Sequence, residues 1–416
     1  MQGVRLRWRA IVVIGIGLLA LAGPARAKEY GLDERPGTPV PSLLEVLRLV
    51  KDRSPEVVLG NANVVTAQSS MVGARLAGLG NPYVEVLGKG AIPGTNTSIG
   101  FDGTLWLPFE IAGQRSTRIA ESEALIGYQR KNLVLATALA KAAAVRAYGL
   151  AAVGGNRLGV LGDLLAVSGT EAANYAARFA AGDVTARDAR MAEVELARYS
   201  ILAEETRADL ALALTELNRL TGAEYSSPPV EGPRPPTLGP VVVDKAPTLA
   251  ASRAEANFYD RAKERARREG VAGNLSLMLN GGRNEFGHPV VGAGLAYMFP
   301  VIRRNQGEQA RAEAERQRAL VEERLKRRAL TLRLRGLTVE LEQVRRALTI
   351  IGDKAEPAAV AAVDAAVEMQ KAGKSDALPV LLSRRELALL RLRRLDLVAR
   401  EWTITSELVA ITGSFP

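Results

Sequence analysis

The 416-residue sequence has no cysteine and a single histidine, His288. Without thiols there is no disulfide framework, no thiolate metal site and no lipid attachment through an N-terminal cysteine. With one imidazole, in a loop between two candidate strands, the chain offers no Ser-His-Asp spacing and no HExxH helix, and it also lacks a P-loop. An enzyme is therefore not expected, and no cofactor or metal site is read. Beyond the N-terminal segment no apolar run approaches the roughly 20 residues that a membrane-spanning helix needs, so any crossing of a bilayer falls to strands. Proline is missing from one long interval: the chain has 20, yet none lies between Pro108 and Pro228. That interval is rich in Ala, Leu, Glu and Arg and reads as long helix.

What is present begins with a secretory signal. Arg5, Arg7 and Arg9 precede an apolar run from Ile11 to Ala22, and Ala25-Arg26-Ala27 forms a small-x-small cleavage site. Loss of its four arginines lowers the net charge from +10 to +6. Basic clusters such as KERARRE (263–269) and RLKRR (324–328) are interleaved with Glu and Ala at helical spacing. They read as solvated helix faces, and nucleic acid is not implied. With 47% apolar residues the chain has core enough for one large domain or two.

The passage PFEIAGQRSTRIAESEA at Pro108 recurs in register as PVIRRNQGEQARAEAE at Pro300. The same offset of 192 residues takes Gly100 to Gly292, Gln114 to Gln306 and Glu121 to Glu313. Farther on it becomes 191, taking Gly182 to Gly373, Glu195 to Glu386 and Thr221-Gly222 to Thr412-Gly413. Such collinear punctuation marks an internal duplication. The expected organisation is a signal peptide (1–27), an extended leader (28–41), a first repeat (42–225), a Pro-rich linker (226–246) and a second repeat (247–416). Each repeat carries a β-hairpin and a long helical hairpin. The strands fall near 82–92 and 97–107, then 274–281 and 290–299, and the helical turns fall at Gly182 and Gly373. At about 1.5 Å per residue the arm from Gln114 to Ala181 spans on the order of 100 Å, too long for a globule. Gly149, Gly154, Gly155, Gly159, Gly162 and Gly169 lie within it and predict a kink.

The strands alternate with period two. Thr97, Ile99, Phe101, Leu105 and Leu107 share one side of the first copy, and Val291, Ala293, Leu295, Tyr297 and Phe299 share one side of the second. Strands of about 9–11 residues with one apolar face fit a transmembrane barrel, but four cannot close one, so chains must share it.

The residues SLLEVLRLVKDRSPEV, LPFEIAGQRSTRIAESEA, ARFAAGDVTARDARMAEVELA, LNRLTG and ITG resemble the outer-membrane efflux protein family, the TolC-like channel-tunnel proteins. PFEIAGQR is most similar to the heavy-metal efflux branch. The resemblance implies a mainly α fold with a small β part: a homotrimer whose 12-stranded β-barrel in outer-membrane lipid continues into a periplasmic α-helical barrel. Its implied partners are a periplasmic adaptor (membrane fusion) protein and an inner-membrane pump, with metal ions or small solutes as cargo. It places Gly182, Asp183, Asp188, Gly373, Lys371, Lys374 and Asp376 at the periplasmic tips and gate. At the second tip Pro379 stands opposite Asp188, so an acidic ring is incomplete there. A channel for type I protein secretion is the alternative within the family. A periplasmic coiled-coil adaptor or structural protein is the alternative outside it, but the former needs a β-rich domain that is missing and the latter gives the hairpins no role.

Overall fold

The computed structural model describes residues 38–76, 80–89, 100–230, 234–236, 239, 241–271, 275–284, 287–374 and 377–413. The expected signal peptide, most of the leader, residues 90–99 and Asp376 lie outside the described residues.

The first half contains β1 (Thr38–Pro39), α1 (Leu43–Arg53), α2 (Pro55–Arg75), β2 (Tyr83–Lys89), β3 (Gly100–Phe109), α3 (Gln114–Ala180), α4 (Ala186–Thr221) and β4 (Tyr225–Ser227). The second contains α5 (Pro247–Val271), β5 (Leu275–Arg283), β6 (Pro289–Tyr297), α6 (Gln306–Ile350), a π-helical turn (Ile351–Ala355), α7 (Glu356–Lys371) and α8 (Ala377–Thr412). The protein is mostly helical with a small sheet part. Helices α2, α3, α5 and α6 pack side by side in that order, matching the strand order β2-β3-β5-β6 of the sheet beyond them. Toward the other end α3 packs between α4 and α8, and α7 lies against α8. The short β1 and β4 pair in parallel beside α1 and α4 at mid-length.

The two halves are built alike at their junctions, down to single hydrogen bonds. Gly113 and Asn305 both adopt left-handed φ before α3 and α6. There the Gln114 and Gln306 side chains each accept a bond from the backbone N–H two residues earlier, both at 2.9 Å. Gly222 and Gly413 end α4 and α8 with N–H bonds of 2.8 Å to Asn218 and Val409. These partners stand at the offsets that relate the sequence repeats. Ser54 closes α1 and caps α2 by accepting from the Val57 N–H at 3.3 Å, with Pro55 opening the helix where its missing N–H is harmless.

The arms differ. Helix α3 runs unbroken for 67 residues, through all the glycines at which a kink is expected. The reason lies in packing. The backbone at Gly149 abuts the indole of Trp402, and a Cβ there would overlap the ring. At Gly155 a Cβ would come within 2.7 Å of Pro228, and at Gly154 it would touch Leu210. The glycines let neighbours approach closely, and that contact offsets their poor helix propensity. The second arm is interrupted instead at the π turn. Pro357 has no N–H for the Asp353 carbonyl and its ring crowds that group, so the helix widens by a residue over Ile351–Ala355.

The main core gathers at mid-length. Val145, Tyr148 and Ala151 of α3 meet Val46 and Val50 of α1, Leu217 and Leu220 of α4, Leu337 of α6, and Trp402 and Ile404 of α8. Tyr148 and Trp402 lie 5.9 Å apart, centroid to centroid. This burial explains a departure from the sequence reading: α3 does contain an 18-residue window apolar enough to cross a membrane, and 44% of that window is buried against the chain's own helices. The basic clusters likewise belong to a ladder of ion pairs between helices. Lys263 meets Glu313 at 3.0 Å, Arg253 meets Glu323 at 3.2 Å, and Arg265 ties α5 to Glu121 of α3 at 2.6 Å.

The packing gives a test with opposite signs. Gly149→Ala should lower stability by about 1–3 kcal/mol through overpacking against Trp402. Gly162→Ala, whose Cβ would meet nothing within 4 Å, should raise it by up to about 1 kcal/mol. Thermal melts followed by circular dichroism read both, and equal effects of the two would contradict this account.

Candidate functional site: an apolar sheet and paired helical tips

The four-stranded sheet is antiparallel throughout, and its register divides the side chains between one face that is mostly apolar and one that is mixed. Residues directly opposite one another share a face. One face carries Val84 and Val86 of β2, Phe101, Leu105, Leu107 and Phe109 of β3, Leu275, Leu277 and Leu279 of β5, and Val291, Leu295 and Tyr297 of β6. The other carries Glu85, Asp102, Thr104, Ser276 and Asn280, with Leu87, Met278 and Val290 and the glycines Gly282, Gly292 and Gly294 among them. Trp106 stacks on Tyr83 at 5.6 Å on this polar face and donates its indole N–H to Glu85 Oε2 at 3.2 Å. At Gly282 and Gly292 a Cβ would collide with the neighbouring strand, so this side of the sheet is tightly packed at its glycines.

Among the described residues no helix packs on the sheet. The apolar face stands open, with Val291 88% and Val86 72% exposed. Both outer strands, β2 and β6, also leave one backbone edge unpaired. Among the described residues nothing gives this sheet dry surroundings.

At the opposite end lie the two tips. Gly182 (φ 82°) and Gly373 (φ 68°) adopt the left-handed conformation that ends α3 and α7. Asp183 N–H donates to the Arg178 carbonyl at 2.8 Å, and Lys374 N–H donates to the Met369 carbonyl at 3.0 Å. Gly182 and Gly373 bond to Phe179 and Gln370 in the same way.

The tip residues singled out from sequence meet different fates. Thr185 caps α4, and Asp188 completes its capping box. The Asp188 N–H donates to Thr185 Oγ1 at 3.2 Å, while its Oδ2 accepts from the same hydroxyl at 2.7 Å. Its carboxylate is thus held in a local cap. Lys371 pairs with Glu368 at 2.9 Å, and Lys374 is exposed at the turn. Asp376 is outside the described residues.

Sequence reasoning missed a cleft of about 620 Å³ above the tips, between α3, α4 and α8. Glu171 of α3, Glu195 and Tyr199 of α4 and Arg385 of α8 line it. Tyr199, 3% exposed, donates its hydroxyl to Glu195 Oε1 at 2.8 Å, and Arg385 Nη1 lies 3.4 Å from the same oxygen. Burial first, and then the bond to Glu195, push the Tyr199 phenol up to about 12. The matching of Glu195 to Glu386 at the repeat offset was the signal available in the sequence, but it did not reveal that three helices converge. Among the described residues no group of three or more His, Asp or Glu is placed to hold a metal ion.

The tip geometry yields a local test. Thr185→Ala should cost about 0.5–2 kcal/mol at the start of α4. Hydrogen exchange should quicken there and stay unchanged at the turn around Gly373; uniform exchange would show that the cap does not govern the tip.

No protein-family profile matches the chain. It is 24% identical over 350 residues to the cobalt-zinc-cadmium resistance protein CzcC of Cupriavidus metallidurans, covering 80% of this chain and 81% of that one. Its fold matches the outer membrane protein VceC from Vibrio cholerae with a TM-score of 0.68 at 16% identity, over 90% of this chain and 97% of that one. It also matches the outer membrane channel CmeC of Campylobacter jejuni with a TM-score of 0.70 at 14% identity, over 90% of this chain and 86% of that one. The chain therefore has the channel-tunnel fold of the outer-membrane efflux proteins, and in sequence it resembles their heavy-metal branch.

Proposed function

We propose that this protein is the outer-membrane channel of a tripartite efflux system, conducting metal ions or small solutes passively from an inner-membrane pump to the exterior. The observation that carries the reading is the sheet: one mostly apolar face, two unpaired edges and no covering layer among the described residues. Lipid tolerates strands only in a closed barrel, since every backbone group in hydrocarbon needs a partner. Copies of the chain supply that closure when β2 of one meets β6 of the next. Two copies give eight strands, a barrel whose interior is filled by side chains. Three give twelve and leave a lumen lined by the polar face, in keeping with the family resemblance.

The helices support the same head-to-tail joining. The outermost helices of the upper layer expose apolar stripes, Leu59, Val65 and Val72 on α2 and Val321, Leu325, Leu332 and Val339 on α6. Below, α4 exposes Met191, Val194 and Ile201, and α7 exposes Met369. With 67 residues at about 1.5 Å each, α3 extends the barrel by about 100 Å, a tunnel across the periplasm. The turns at Gly182 and Gly373 form its mouth, where the adaptor docks and where Asp183, Lys371 and Lys374 face the constriction. Metal cargo is suggested by what CzcC confers resistance to, cobalt, zinc and cadmium. The pump supplies the energy.

Two measurements test this. The detergent-extracted protein should sediment with the mass of three chains, and a water-soluble monomer would refute the shared barrel. In planar bilayers Lys374→Glu should shift ion preference toward cations, because three positive charges at the mouth become negative; unchanged conductance and selectivity would remove Lys374 from the constriction.

A further inference from the structure

We propose that Arg303 and Arg304, with Phe299, Val301 and Ile302 before them, form a binding site for an anionic phospholipid of the periplasmic leaflet. The site rests on the channel reading, which puts the sheet in lipid, and it adds the chemistry of that lipid. Strands β3 and β6 both lead into the long helices, so the rim at their ends is the periplasmic one. From Pro289 to Phe299 the chain rises about 26 Å, at about 3.4 Å per residue and a tilt of about 40°, which matches an apolar band about 25 Å tall. Headgroup phosphates lie just beyond such a band, at the level of the two arginines.

The apolar surface does not stop where β6 ends. Phe299 stands edge-on to Tyr297, with ring centroids 4.6 Å apart, and Phe299, Val301 and Ile302 are 73%, 71% and 84% exposed. Two cations follow at once. Arg303 is exposed and meets no carboxylate among the described residues. Arg304 donates its Nε to the Pro300 carbonyl at 3.2 Å, which leaves its terminal nitrogens for another acceptor. Other arginines of this rim are spent: Arg115 on the carbonyls of Arg75 and Leu76, and Arg267 and Arg268 on Glu264. Glu308, the acid next along the chain, stands in the first turn of α6, where the helix terminus favours it. The rim of the second repeat therefore keeps an excess of positive charge beside an apolar patch, which suits a phosphate joined to hydrocarbon.

The first repeat shows that folding does not require these side chains. At the offset of 192, Glu110, Ile111 and Ala112 stand where the second repeat has Ile302, Arg303 and Arg304. The backbone is stapled alike in both, through Gln114 and Gln306. Yet Glu110 pairs with Arg118 of α3, and Ile111 and Ala112 bring no charge. In the second repeat the frame is also held fast. Gln306 Nε2 donates to the Ile302 carbonyl at 3.0 Å, Gln309 Nε2 to the Arg304 carbonyl at 2.7 Å, and Asn305 Nδ2 to the Ala266 carbonyl at 3.2 Å. Gly270 gives the loop room, since a Cβ there would overlap the Arg304 carbonyl. The two arginines thus start from a fixed position at the membrane edge.

The test titrates the whole detergent-extracted protein with phosphatidylglycerol or phosphatidylcholine and counts bound lipid per chain by native mass spectrometry. The parent should bind phosphatidylglycerol about tenfold or more tightly than phosphatidylcholine, and Arg303→Gln with Arg304→Gln should remove that preference. Arg335→Gln, which takes an exposed charge from far down α6, should leave it unchanged. Ile302→Ser should weaken both lipids, because the tail loses its contact. Inorganic phosphate, added at constant ionic strength, should not displace the lipid; displacement would show a site for free anions and overturn the lipid reading. Equal binding of the two lipids, or a double variant that binds as the parent does, would overturn it too. Because the count is made per chain and needs no ion flow, a trimer that conducts yet does not discriminate between the lipids fails this proposal alone.

Discussion

Everything else in the molecule depends on two unpaired strand edges. Among the described residues the chain places a mostly apolar sheet face in the open and leaves the outer backbone edges of β2 and β6 without partners. In water such edges invite uncontrolled pairing, and in hydrocarbon they are intolerable. A single chain cannot resolve this, because four strands are fewer than any closed membrane barrel uses. The proposed sharing of one barrel between copies would resolve it, and the common order of strands and helices would extend the same joining along the length.

Duplication supplies the geometry at low informational cost. One unit of helix, strand pair and helical hairpin is written twice, and its junction hydrogen bonds recur in both copies at Gln114 and Gln306 and at Asp183 and Lys374. Function enters where the copies diverge. The first arm is a continuous strut stiffened by close contact between Gly149 and Trp402. The second carries a proline and a widened turn. The first tip is locked by the Thr185–Asp188 cap, while the second presents an exposed Lys374.

The features legible in the sequence were those written locally. The period-two pattern marks the strands because side chains alternate across a pleat, and Gly182 and Gly373 mark turns because only glycine enters left-handed backbone without strain. What escaped depends on distant partners. The glycines of α3 read locally only as poor helix formers, yet Gly149 serves a tryptophan more than 250 positions away, whose indole abuts its backbone. Asp188 stands at the tip as its position suggests, and its bond to a hydroxyl three residues back was legible only as a cap pattern. The cleft around Glu195 joins helices from both repeats, and no local pattern announces such a meeting.

The most direct measurement of the central claim is a covalent trap across the seam between copies. With no native cysteine to confuse the result, one cysteine on β2 at Val84 and one on β6, scanned from Val290 to Leu295, would be oxidised in the outer membrane. The account predicts bands of one, two and three linked chains on a non-reducing gel, at β6 positions of a single parity, with nothing larger. Chains that link only to themselves, or a ladder that continues beyond three, would contradict it.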